Sequence, residues 1–227
     1  MLLVVNCFLE DRFAESFDNA IIRSIGKEYV ERRFVRMSEI HNMHDLSPYT
    51  HMIISGSEAS TLDDYPWNKH LERLVHSFVQ SKKAVLGICY GHQFLVRALA
   101  GKEHVRRAAN PEMGWTRVDL CENTLFNQIN RPVCMVAHYD EVFDLPESFK
   151  IIASTPRCGV HGFQYKDLPV WGVQFHPEYD KADGDEIFDV FSKKDPGLYK
   201  YFINDLDDEN SADHNKKFFS NFLRVQV

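Results

Sequence analysis

Two rhythms alternate along the N-terminal half of the chain. Apolar runs of four or five residues, at 2–5, 51–54 and 84–88, are separated by stretches where apolar side chains return every three or four positions. The runs read as strands buried on both faces, the stretches as helices with one buried stripe. Residues 13–25 carry Phe17, Ala20, Ile21 and Ile25 and stop at Gly26; residues 69–81 carry Leu71, Leu74, Val75 and Phe78; residues 90–100 stop at Gly101. Residues 29–35 alternate enough for a further strand. This order predicts a mainly parallel sheet covered on both faces. Beyond Gly101 the runs shorten: position 105, then 115–120, 132–137, 151–153, 160–165 and 170–175 are strand candidates between turn residues, which predicts small antiparallel strands. Phe218, Phe219, Phe222 and Leu223, at helical spacing within 217–225, predict a terminal helix docked on the core. The expected fold class is an α/β three-layer sandwich. No repeat or low-complexity linker divides residues 1–227, so they read as a single domain.

Cys89 sits where the run 84–88 meets the helix that begins at residue 90. A side chain at such a joint points out of a sharp, strained turn and leaves no room for side chains two positions away, so Gly87 and Gly91 are the expected neighbours. The following helix aims free N–H groups at the sulfur, favouring a thiolate. This is a nucleophile elbow with Cys as the nucleophile, at the carboxyl end of a central strand where open α/β sheets place ligands.

Composition narrows the setting. With 227 residues, 44% hydrophobic and 26% charged, the chain reads as soluble and able to bury a full core. A net charge of -7 argues against a nucleic-acid or anionic-membrane surface. Cysteines at 7, 89, 121, 134 and 158 show no CxxC pair, which points to reduced thiols rather than a disulfide framework or zinc site. No basic segment opens the N-terminus and no run is long enough to span a membrane, so a cytoplasmic location is expected. His41 and His44 read as surface histidines, and Asp180, Asp183 and Asp185 as an acidic patch at a helix start. No glycine-rich phosphate loop appears, so neither a cofactor nor a metal is expected.

A cysteine nucleophile needs a base. The run 170–175 delivers His176 at its end, Pro177 fixes the backbone, and Glu178 follows on the same side of an extended chain, placed to hold the imidazole. The predicted order is Cys89, His176, Glu178.

The segments Gly87-Ile88-Cys89-Tyr90-Gly91-His92-Gln93 and Gly172-Val173-Gln174-Phe175-His176-Pro177-Glu178 resemble those of class I glutamine amidotransferases. His138-Tyr139-Asp140-Glu141-Val142 and Glu112-Met113-Gly114-Trp115 are similar to segments of free-standing members. The resemblance covers about residues 1–180 and leaves 181–227 as a C-terminal helical extension. It implies a flavodoxin-like sheet and attack of Cys89 on the side-chain amide of glutamine, with His176 moving the proton and Glu178 orienting it. It further implies an oxyanion hole at Tyr90 and the Gly56-Ser57 turn, and substrate contacts from Gln93, His138 and Tyr139. A synthetase subunit is the partner implied for many members, including the glutaminase domain of GMP synthase. The chain departs from the family at Ser55-Gly56-Ser57-Glu58, where partner-bound members carry a Ser-Gly-Gly-Pro-like turn. That turn looks more like stand-alone relatives such as γ-glutamyl peptidases, so hydrolysis of γ-glutamyl amides is the alternative. A silent binding or regulatory protein with this fold is the alternative of another class.

Overall fold

The computed structural model describes residues 1–26, 31–206 and 216–227. Along the chain, β1 (Leu2–Asn6), β2 (Arg32–Arg36), β3 (His51–Ile54) and β4 (Ala84–Ile88) precede β5 (Val105–Arg117), β6 (Asp119–Leu120) and β7 (Val133–Val142). They are followed by β8 (Phe149–Ser154), β9 (Gly162–Tyr165), β10 (Val170–Val173) and β11 (Phe202–Asn204). Eight strands form one sheet in the order β2-β1-β3-β4-β10-β9-β8-β6. From β2 to β10 neighbours run parallel; β9, β8 and β6 continue antiparallel. The predicted mainly parallel sheet with small antiparallel strands is therefore present.

Strand periodicity sorts the core into two faces. Leu3, Val5, Met52, Ile54 and Val85 pack with α2 (Asn68–Gln80) and α3 (Tyr90–Leu99). Leu2, Val4, Ile53, Leu86 and Ile88 pack with α1 (Asp11–Ile25) and α5 (Lys216–Leu223). Each large apolar side chain so buried contributes about 1.5–3 kcal/mol. This produces the three layers. The terminal helix docks as expected, with Phe218, Phe219 and Phe222 fully buried.

The antiparallel part is more extensive than the short runs suggested. β5 continues for 13 residues because a register break between Arg107 and Glu112, where Pro111 needs no ladder partner, lets it keep pairing with β7. These two strands and β11 form a second sheet, in which β11 runs parallel to β5. The segment after residue 180 is accordingly not wholly helical. α4 (Lys181–Lys194), capped by Asp180 and Asp183 in a reciprocal capping box, is followed by a 3-10 turn and β11 before α5. Asp205 accepts the Arg117 N–H at 2.8 Å. Residues 29 and 30 of the second predicted strand lie outside the described residues. Among the described residues, no helix is long and apolar enough to cross a membrane.

Candidate active site

β4 delivers Cys89 into the turn before α3 with φ +50° and ψ -100°. A residue with a Cβ occupies this region only at a cost of about 1–3 kcal/mol, so the surroundings must enforce it. Cys89 N–H donates to the Val173 carbonyl at 2.8 Å, Gly91 N–H to Ser55 at 3.0 Å, and Gln93 N–H to Cys89 at 3.1 Å. The flanking glycines are demanded by close approach: a Cβ on Gly87 would stand 2.4 Å from the Gly91 oxygen, and one on Gly91 would stand 2.3 Å from the Ile54 oxygen.

His176 reaches the nucleophile from beyond β10. Its N–H donates to Met135 of β7 at 2.9 Å, which ties the end of the large sheet to the small one. The chain turns at Pro177 and Glu178 rather than running extended as expected, and the turn still places Glu178 Oε1 2.7 Å from His176 Nδ1. Both side chains are buried. Burial alone would lower the imidazole pKa. The Glu178 carboxylate, and then the Cys89 sulfur hydrogen-bonded to the ring, more than offset it and raise the value to about 10. A nucleophile, a base and a carboxylate orienting that base therefore stand together.

The departing turn is built by side chains. Ser55 Oγ accepts Cys7 N–H at 2.7 Å, and Ser57 Oγ donates to the Cys7 carbonyl at 2.7 Å. Glu58 accepts Leu9 N–H at 2.9 Å and Glu10 N–H at 3.2 Å. Four bonds thus fasten this turn to the loop after β1, rigidity that a Gly-Pro pair would supply through its backbone. A Cβ on Gly56 would lie 2.9 Å from His176 Cε1 and 3.7 Å from Cys89 Cβ, so the turn runs against the nucleophile. Tyr90 opens α3, and its N–H has no acceptor within that helix.

A cavity of about 230 Å³ holds Cys89, Ser57, Tyr90, Gln93, His138 and Tyr139 in its wall, so the structure brings the sequence-predicted residues together. Larger recesses of about 620 and 790 Å³ lie away from Cys89. Two of the predicted substrate contacts hold protein partners. Gln93 Nε2 donates to the Asp140 carbonyl at 2.9 Å and to Gln174 at 3.0 Å. His138 has Nε2 on Glu112 at 2.9 Å and Nδ1 on the Asp140 carbonyl at 3.0 Å, so both nitrogens face protein acceptors. Sequence reasoning missed the charged rim: Glu58, Ser60 and Arg107 line the cavity, and Arg107 pairs with Asp140 at 3.0 Å. Asp140 lay in a quoted segment; Arg107 carried no signal, because only the β5–β7 register brings it opposite Asp140.

A second grouping has the residue types of a cysteine triad: Cys158, His161, Glu112 and His138, all buried. Cys158 follows no strand-to-helix elbow and turns its sulfur to the Val160 carbonyl at 3.6 Å. Burial and the Glu112 charge push its thiol pKa far up. Such a thiol is disfavoured as a nucleophile.

Comparison with known proteins gives a family and a fold. Residues 11–193 match the family model for "Glutamine amidotransferase class-I". A glutamine-hydrolyzing GMP synthase of Phocaeicola vulgatus is 31% identical over 188 residues, 77% of this chain, which spans about a third (35%) of that enzyme's length. Gamma-glutamyl peptidase 3 of Arabidopsis thaliana is 30% identical over 181 residues, 75% of this chain and 72% of the relative. The crystal structure of a glutamine amidotransferase from Methylobacillus flagellatus superposes with a TM-score of 0.74 at 17% identity, covering 98% of this chain and 94% of the other.

Proposed function

The chain belongs to the class I glutamine amidotransferase family, and from that premise we propose that it hydrolyses the γ-amide of glutamine through Cys89, His176 and Glu178. The observation that carries the reading is a cysteine at φ +50° in a strand-to-helix elbow beside an imidazole fixed by a buried carboxylate at 2.7 Å. The Cys89 thiolate adds to the amide carbon, and the resulting oxyanion accepts the backbone N–H groups of Tyr90 and Ser57, with Gly56 shaping the turn. His176 protonates the departing nitrogen, ammonia leaves, and a γ-glutamyl thioester remains. Water then attacks with His176 as base, releasing glutamate and restoring the thiol. Arg107 and Asp140 on the rim offer opposite charges to the α-carboxylate and α-ammonium of the substrate. Gln93 and His138 shape the wall, and Tyr139 closes it beside Arg107.

We read residues 1–227 as a single catalytic domain in a cytoplasmic setting, a setting supported by thiols not joined in disulfides among the described residues. A synthetase subunit as ammonia acceptor is supported by the likeness to a GMP synthase. The turn at Ser57 and Glu58 and the likeness to a γ-glutamyl peptidase favour a second reading, cleavage of γ-glutamyl peptides. The deciding assay follows ammonia and glutamate release from glutamine beside glutathione and a γ-glutamyl anilide, with Cys89→Ala as control. Preference for glutamine supports the first reading and preference for the peptide or anilide the second. Inertness of Cys89 toward all three, and toward a glutamine-analogue electrophile, would leave the fold as a binding protein.

A further inference from the structure

Glu112 on β5 and His138 on β7 face each other in register, and the connection from β8 to β9 brings Cys158 and His161 against them. One donor atom from each of the four lies within 4.8 Å of every other, and all four residues are buried. We propose that Glu112, His138, Cys158 and His161 bind a divalent cation of the zinc class, clamping the small sheet onto the antiparallel end of the large one. The donor set of one thiolate, two imidazoles and one carboxylate suits such an ion. Tetrahedral bonds of about 2.0–2.3 Å place donors roughly 3.3–3.8 Å apart, so the widest pair closes by roughly 1 Å.

The supporting groups are those a metal site needs. Two imidazole nitrogens, Nε2 of His138 and Nε2 of His161, converge on the single oxygen Glu112 Oε2 at 2.9 Å each. His138 is oriented from behind by the Asp140 carbonyl, the usual outer contact of a metal-bound histidine. Thr155 Oγ1 donates to Glu112 Oε1 at 2.7 Å and accepts Cys158 N–H at 3.0 Å, which joins two of the ligands. Nδ1 of His161 has no hydrogen-bond partner among the described residues, so a proton can reside there while Nε2 binds.

Charge balances on binding. Without a cation, both His138 nitrogens face acceptors, the Asp140 carbonyl and the Glu112 carboxylate. When the ion enters, Cys158 loses its S–H proton and His138 its Nε2 proton, while the proton of His161 moves to Nδ1. Two positive charges replace two protons, and the buried site stays neutral, as a dry interior requires. Ala137, next to His138, places its carbonyl 3.9 Å from the Cys89 sulfur, so the clamp stiffens the wall of the catalytic cavity.

The test adds Co²⁺ to the full chain carrying Cys89→Ala, so that the Cys89–His176 pair cannot bind the ion, and reads the spectrum and the bound metal after dialysis. One Co²⁺ per chain is expected, with a thiolate-to-cobalt charge-transfer band and visible bands of tetrahedral intensity. Both should weaken at least tenfold in Cys158→Ala and in His161→Gln, the latter keeping a donor to Glu112 so that the fold survives. Absence of the bands in the parent, or bands of undiminished strength in the two variants, overturns the proposal and leaves the cluster a hydrogen-bonded clamp. The readout does not depend on amide hydrolysis, so the two readings stand or fall separately.

Discussion

At the scale of the residue, the candidate chemistry reduces to three side chains and a charged rim. Cys89→Ala should leave the circular dichroism unchanged while ammonia release falls by roughly 10⁴-fold or more, because the nucleophile acts as one unit with its base. The pH profile is set by His176, whose pKa stands at about 10 against an ordinary 6.5. A cation whose pKa rises on folding stabilises the fold fully below pH 6.5, and that contribution is lost as pH climbs through about 10. The same proton serves the departing nitrogen, so kcat/KM should decline on the basic side only near pH 10. Glu178→Gln removes the leading cause of the rise, and its basic limb should move down by more than one pH unit, with a rate loss of roughly 10²–10⁴-fold. An unmoved limb would mean that Glu178 does not hold the ring. Arg107→Ala should raise KM for glutamine roughly tenfold with little change in kcat, the mark of a group that binds ground state and transition state alike.

At the scale of the element, the elbow and the turn opposite it are held by backbone contacts that tolerate little. Gly91→Ala drives a methyl to 2.3 Å from the Ile54 oxygen, so β3 and α3 must separate. The expected cost is roughly 1–3 kcal/mol or more, seen as a lower urea midpoint together with lost activity. Glu58→Gln tests the turn more gently. A neutral amide keeps at most part of the bonding to Leu9 and Glu10, so kcat should fall while stability hardly changes, since the oxyanion donor beside it loses its fixed position. A variant with unchanged kcat and KM would show that the backbone alone shapes the turn.

At the scale of the whole molecule, the segment after residue 180 belongs to the core rather than trailing from it. β11 completes the small sheet against Met113, Gly114 and Trp115, and α5 fills one face of the large sheet with Phe218, Phe219 and Phe222. Phe222 packs edge-on against Trp171 of β10, on the strand that leads to His176. Phe222→Ala should therefore cost about 3–5 kcal/mol. Denaturation followed by far-ultraviolet circular dichroism and by Trp fluorescence should give coincident transitions in both proteins, as a single cooperative domain requires. Separate transitions would divide the terminal segment from the rest.

The sequence by itself determined the parallel half of the fold and the positions of the candidate nucleophile and its candidate base. Buried strands, helical stripes and the glycines around Cys89 are local demands, written within a few residues of where they act. It also marked the terminal helix, because four apolar residues at helical spacing require a partner. Only the tertiary structure decided the rest. Pro111 interrupts the pattern of β5, yet the bulge carries that strand onward, and β11 pairs across 89 positions of sequence where no periodicity could assign it. His138 reads as a substrate contact in its segment; packing turned both its nitrogens to protein acceptors. Arg107 meets Asp140, and Glu112 meets His161, through register and hairpin geometry alone. Such long-range juxtapositions are fixed by how whole sheets stack, a property of the folded chain that no short stretch of it contains.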